Sequence, residues 1–104
     1  MINMIDKHKE IVLEILDKYT PDYDVWVFGS RVGGDIKIYS DLDLVFLGTE
    51  TISINLLANL EYAFQESDLP YRVDIVDWNR ISEDFREVIL EKYEILKSSS
   101  VKTP

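Results

Sequence analysis

Short runs of strand-forming residues alternate in this chain with stretches of helical periodicity, and that alternation limits the fold more than any other feature. Val25-Trp26-Val27-Phe28 is continuously apolar and too short for a helix, so it reads as a buried strand. Leu42 to Leu47 and Tyr71 to Val76 read the same way, the last entered through Pro70. Around them, Ile5, Val12, Ile15, Leu16 and Tyr19 fall near one face of a helix from Asn3 to Tyr19. Asn3 is placed to cap it, and Thr20-Pro21-Asp22 ends it because proline cannot continue the hydrogen-bond ladder. Leu57, Leu60, Ala63 and Phe64 form the inward face of a second helix, Ile54 to Glu66. Ser82 caps a last helix through about Leu96, with Glu83 and Asp84 in its positive first turn and Phe85, Ile89, Tyr93 and Leu96 as its apolar face. This order predicts an α/β fold: a small mixed sheet of about three to four strands flanked by helices. The 104 residues make one domain, with residues 97–104 expected as a loose tail.

Composition narrows the chemistry. There is no cysteine, so disulfides, thiol catalysis and cysteine zinc sites are excluded. The single histidine, His8, makes a multi-histidine metal site or a histidine-relayed nucleophile a poor fit. It reads as a core-edge residue of the first helix, and Trp26 and Trp78 read as core and core-edge residues rather than stacking platforms. Catalysis here has to run on carboxylates, hydroxyls, Arg or Lys. The formal charge of −9 disfavours tight, metal-free binding to nucleic acid, where affinity comes largely from Lys and Arg. An acidic chain still accepts a nucleotide when divalent cations stand between its carboxylates and the phosphates. No apolar run approaches the roughly 18 residues that span a bilayer. The first ten residues are too polar for a signal peptide, so a soluble, cytoplasmic protein is expected.

Two features stand out against that background. Gly29-Ser30 follows the first strand directly, with Arg31 and Gly33-Gly34 after it. Glycine permits a sharp turn and close approach of a ligand. A turn that opens a short helix aims N–H groups at an anion, Ser30 adds a hydroxyl and Arg31 a planar cation. An ordinary chain reversal is the plain alternative. The second feature is Asp41-Leu42-Asp43, where side chains two apart on a strand share a face. Two adjacent anions repel, and a divalent metal such as Mg²⁺ is an obvious partner, although a solvated aspartate pair at a loop–strand junction has the same sequence. Asp74 interrupts the apolar third strand, which is expensive unless it is exposed, paired or metal-bound. If the second and third strands are neighbours, Asp74 joins Asp41 and Asp43. Asp77, at the strand end, reads as a turn residue before Trp78-Asn79.

Gly29-Ser30-Arg31, Gly34 and Ser40-Asp41-Leu42-Asp43-Leu44, with Asp74 downstream, resemble the signature of the minimal nucleotidyltransferases of the polymerase-beta-like superfamily. The resemblance runs from about Val25 to Asp77. It implies a nucleotidyltransferase-like core in which Asp41, Asp43 and Asp74 are catalytic and bind two Mg²⁺ ions. It implies that Gly29, Ser30, Arg31 and Ser40 bind the nucleotide, with ATP as substrate and Asp74 helping to activate the acceptor hydroxyl. The sequence departs from the family at Gly33, where a basic residue is common. The parts suit one another chemically, because two metals clamp the attacking and leaving oxygens while the protein contributes positioning and charge.

About 27 residues follow Asp77, so the site looks like half of one, needing a small acceptor or a protein that completes it. The minimal family resembles the antitoxin half of toxin–antitoxin pairs, which implies a HEPN ribonuclease toxin as partner and transfer of AMP from ATP to a toxin tyrosine. Two alternatives stand beside it: modification of a small hydroxylated molecule such as an aminoglycoside, and a non-catalytic protein that masks a toxin. Finally, Glu83, Glu87, Glu91 and Glu94 recur at helical spacing, as either a solvated face or a docking stripe for a basic partner.

Overall fold

Val25 and Val27 are fully buried while the alternating Trp26 and Phe28 are only half-buried, the pattern of a strand with one face on a closed core and the other partly covered. This is β1, Asp24–Phe28. The computed structural model describes residues 2–33 and 40–99, so expectations for Gly34 and for residues 100–104 lie outside the described residues. Before β1 comes α1 (Asp6–Tyr19), and after it β2 (Leu42–Leu47), α2 (Ile54–Gln65), β3 (Val73–Asp77), α3 (Glu83–Glu91) and β4 (Tyr93–Lys97). Short 3-10 turns at Gly29–Arg31 and Trp78–Arg80 follow β1 and β3. The sheet order is β3-β2-β1-β4. Strands β2 and β3 run parallel, and the other two pairs are antiparallel. This is the expected mixed sheet, with four strands.

One face of the sheet carries Leu42, Leu44 and Phe46 of β2 with Val25 and Val27 of β1, packed against Val12 and Leu16 of α1 and Leu60 and Phe64 of α2. Fully burying a side chain of this size is worth roughly 1.5–3 kcal/mol, so this layer supplies most of the stability. The other face carries Trp26, Phe28, Asp43, Val45 and Asp74, and α3 covers part of it through Ile89 and through Phe85, whose ring meets Phe28 edge-on at 5.9 Å. Trp26 stacks on Tyr93 at 4.3 Å and meets Trp78 edge-on, so both tryptophans belong to this packing, as expected.

Four sequence expectations change. The last helix ends at Glu91, and Tyr93–Lys97 is a strand on the open edge of β1. The apolar spacing that mimics a helix also suits a strand, and the unpaired backbone groups of β1 decide the matter. Lys97, the first residue of the expected tail, lies in β4. Glu94 leaves the helical stripe for the same reason, while Glu83, Glu87 and Glu91 stay on α3. Asn3 does not cap α1, whose cap position is Ile5 with no side-chain bond. Its backbone N–H instead donates to the Arg31 carbonyl at 2.8 Å, beside a bridge between Ile2 and Val32. Ser82 does cap α3, accepting from the Phe85 N–H at 3.2 Å.

Candidate active site

The register of the sheet lines up four residues across its α3-side face. Tyr93 pairs with Phe28, Phe28 with Asp43, and Asp43 with Asp74. The parallel pairing of β2 and β3 thus brings together two carboxylates that the sequence separates by about thirty residues. Leu42 points the opposite way into the core, which fixes the outward direction of Asp43. Asp41 lies just before the strand and Arg72 just before its partner. The Arg72 guanidinium spans the gap, with Nη2 at 3.4 Å from Asp41 Oδ2 and Nε at 3.2 Å from Asp74 Oδ1.

Asp43 carries the electrostatic signature of the site. Its pKa is pushed up from 3.8 to about 6, first by burial, then by the Asp74 charge and a hydrogen bond with the Asp74 carboxyl, with Asp41 adding to the effect and Arg72 opposing it. The row therefore holds more negative charge than its surroundings neutralise. The donors are all carboxylate oxygens, the set a hard divalent cation takes, so a Mg²⁺ ion fits the chemistry of the row. Among the described residues no group of three or more acidic or histidine side chains is gathered as a ligand set. The expected trio is present as one facing pair, Asp43 and Asp74, with Asp41 held on Arg72.

Gly29 is bound to this row by geometry. It has φ +78°, a conformation that side chains disfavour, and a Cβ there would overlap the Asp43 carboxylate. The glycine turn and the carboxylates are thus one unit. Ser30 is exposed beside it. Arg31, a planar cation that the resemblance implies binds the nucleotide, is turned inward. It is 4% exposed, and its guanidinium lies 3.8 Å over the Tyr71 ring. Nε donates to the Ser40 carbonyl and Nη1 to the Asn3 carbonyl, both at 3.0 Å. Arg31 thereby ties the turn after β1 to the residue that precedes Asp41 and to the N-terminal segment.

Two neighbouring residues take structural roles. Asp77, read from sequence as a turn residue, is 8% exposed at the end of β3. Its carboxylate accepts from the N–H groups of Ile52 and Asn79 at 2.8 and 3.0 Å and pairs with Arg80 at 3.3 Å. His8 sits edge-on to Tyr71, with Nδ1 3.2 Å from the tyrosine hydroxyl, as a core-edge residue should. The residue that sequence reasoning passed over is Arg72. Its signal was present, since a cation two positions before Asp74 on a strand shares its face.

None of the described cavities is lined by Asp41, Asp43 or Asp74. Among the described residues no helix is long and apolar enough to cross a membrane.

Comparisons with known proteins bear on the family and the fold. The chain is 49% identical over 96 residues to a protein of Haemophilus influenzae named "Probable protein adenylyltransferase MntA", covering 90% of this chain and 84% of that one. Its fold matches a toxin–antitoxin crystallised with AMP-PNP, with TM-score 0.71 and 21% identity over 88% of this chain and 74% of that one. It also matches the complex of a tri-AMPylated Shewanella oneidensis HEPN toxin with its MNT antitoxin, with TM-score 0.70 and 22% identity over 91% and 73% of the two chains. At those identities the structural matches speak for the fold. The model of the family described as polymerase beta, nucleotidyltransferase, matches residues 9–102, and this chain belongs to that family.

Proposed function

We propose that this protein is a Mg²⁺-dependent protein adenylyltransferase that moves AMP from ATP onto a hydroxyl, a tyrosine, of a helical HEPN-type toxin and so acts as its antitoxin in the cytoplasm. The observation that carries the reading is the facing of Asp43 and Asp74 beside the glycine turn. Asp41 and Asp43 would hold divalent metal, and Asp74 would receive the acceptor hydroxyl. Gly29, Ser30 and Ser40 would meet the phosphates, with Arg31 positioning them from behind rather than by contact. Bound metal supplies charge neutralisation between carboxylates and phosphates and polarises the phosphoryl oxygens. The chain's own residues then have to align the acceptor oxygen with the α-phosphorus, where nucleotidyl transfer requires in-line attack and release of pyrophosphate.

The name of the Haemophilus relative and the AMPylated toxin in the Shewanella complex support this reading. The test is transfer of labelled AMP from ATP to a HEPN-type toxin co-expressed with this protein, run with Mg²⁺ and with EDTA. Label should appear on the partner only with Mg²⁺ and should be lost in Asp41→Asn and Asp43→Asn. Label that survives in both variants, or that is indifferent to EDTA, contradicts the assignment.

A further inference from the structure

The turn after β1 has two flanks. Strand order β3-β2-β1-β4 places the carboxylate row on the β2 side and the junction of α3 and β4 on the other. Phe28 pairs with Tyr93 in antiparallel register, so Lys92 stands beside Gly29. Its side chain runs along the turn, and Cε lies 3.5 Å from the position a Cβ of Gly33 would take. Gly33 has φ +64°, and Lys92 Cε is the contact given at that point among the described residues, so the lysine stem lies where a side chain there would reach.

Among the described residues, two further cations at this end of the sheet, Arg31 and Arg72, are committed. Arg31 is buried on Asn3, Ser40 and Tyr71, and Arg72 is paired with Asp41 and Asp74. The described ion pairs also include Arg80–Asp77 and Arg86–Glu83, and none includes Lys92, which is exposed. We propose that Lys92 binds the outer phosphates of the nucleoside triphosphate. This rests on the nucleotide-binding reading above. With the reacting phosphorus at the carboxylate row, a polyphosphate laid across the Gly29–Ser30 turn extends toward β4, where Lys92 places an ammonium group. A chain of net charge −9 needs such a cation to hold the end of the polyphosphate remote from the carboxylate row. The mobile, compact ammonium of lysine suits a phosphate whose position shifts as pyrophosphate departs.

The experiment measures binding of ATP, AMP and inorganic tripolyphosphate, each with Mg²⁺, to the full chain by calorimetry, for the wild type, Lys92→Gln and Lys92→Arg. Lys92→Gln should weaken ATP and tripolyphosphate about tenfold, the worth of one charge-assisted contact, and leave AMP unchanged. Lys92→Arg should restore most of the affinity, and all three proteins should melt at the same temperature. Equal ATP affinity in the wild type and Lys92→Gln overturns the assignment, as does an equal loss for ATP and AMP. A wild type that binds neither ATP nor tripolyphosphate overturns the nucleotide-binding reading itself.

Discussion

Asp43 lies directly across from Asp74 in the parallel register of β2 and β3, and burial together with the Asp74 charge raises its pKa. Backbone pairing, not side-chain attraction, holds them there, so the site stores electrostatic repulsion in the metal-free protein. Removing one charge should then stabilise the fold.

Asp43→Asn should raise the melting temperature at pH 7.5 in EDTA, and the gain should vanish near pH 4. The pKa of Asp43 in the folded protein is raised to about 6 from 3.8, so the folded state binds the proton more tightly than the unfolded state. Its contribution to stability is complete below about pH 4 and is lost as pH rises through 6. At about 1.4 kcal/mol per pH unit, discounted for the solvent that reaches this half-buried group, the difference is about 1–2 kcal/mol. That corresponds to several degrees, at roughly 4–8 °C per kcal/mol for a domain near this size. Thermal melts of both proteins between pH 4 and 8 measure it. A difference in melting temperature that stays constant across that range would mean that the titration of Asp43 is not its source.

Gly29→Ala should destabilise the protein by about 1–3 kcal/mol, through a left-handed backbone that alanine disfavours and a Cβ placed on the Asp43 carboxylate. The two causes separate in a double mutant. Adding Asp43→Ala relieves the overlap but not the backbone strain, so the combined loss in urea unfolding should fall short of the sum of the single changes.

Asp77→Ala should cost about 1–3 kcal/mol in urea unfolding, because it strands the buried N–H of Ile52 and leaves Arg80 without its carboxylate. Metal-dependent nucleotide binding should persist wherever the variant remains folded, since Asp77 points into the structure and away from the carboxylate row.

Arg31→Lys should be more damaging than a like-charge exchange suggests. Lysine cannot reproduce two directed bonds to Asn3 and Ser40 together with a flat stack on Tyr71. A loss of about 2 kcal/mol in urea unfolding is expected from the broken hydrogen bonds to charge.

Local pattern determined much of this protein. The runs around Val25 and Leu42 are apolar over too few residues to be anything but strands, Ser82 has a hydroxyl where α3 needs an acceptor, and Asp41-Leu42-Asp43 carries its facing in its spacing. Those features depend on neighbours in sequence, and periodicity reads them directly. What the tertiary structure decided depends on partners far along the chain. Tyr93–Lys97 has the periodicity of the helix before it and became β4 because the edge of β1 lacked a partner. Asp77 became a buried anchor because the Ile52 N–H, distant in sequence, faces it. Arg31 turned inward because Tyr71 and the carbonyls of Asn3 and Ser40 converge on it. The position of Asp74 in the sequence left its neighbour undetermined, and only the parallel register of β2 and β3, set by the core packing of their other faces, placed it on Asp43.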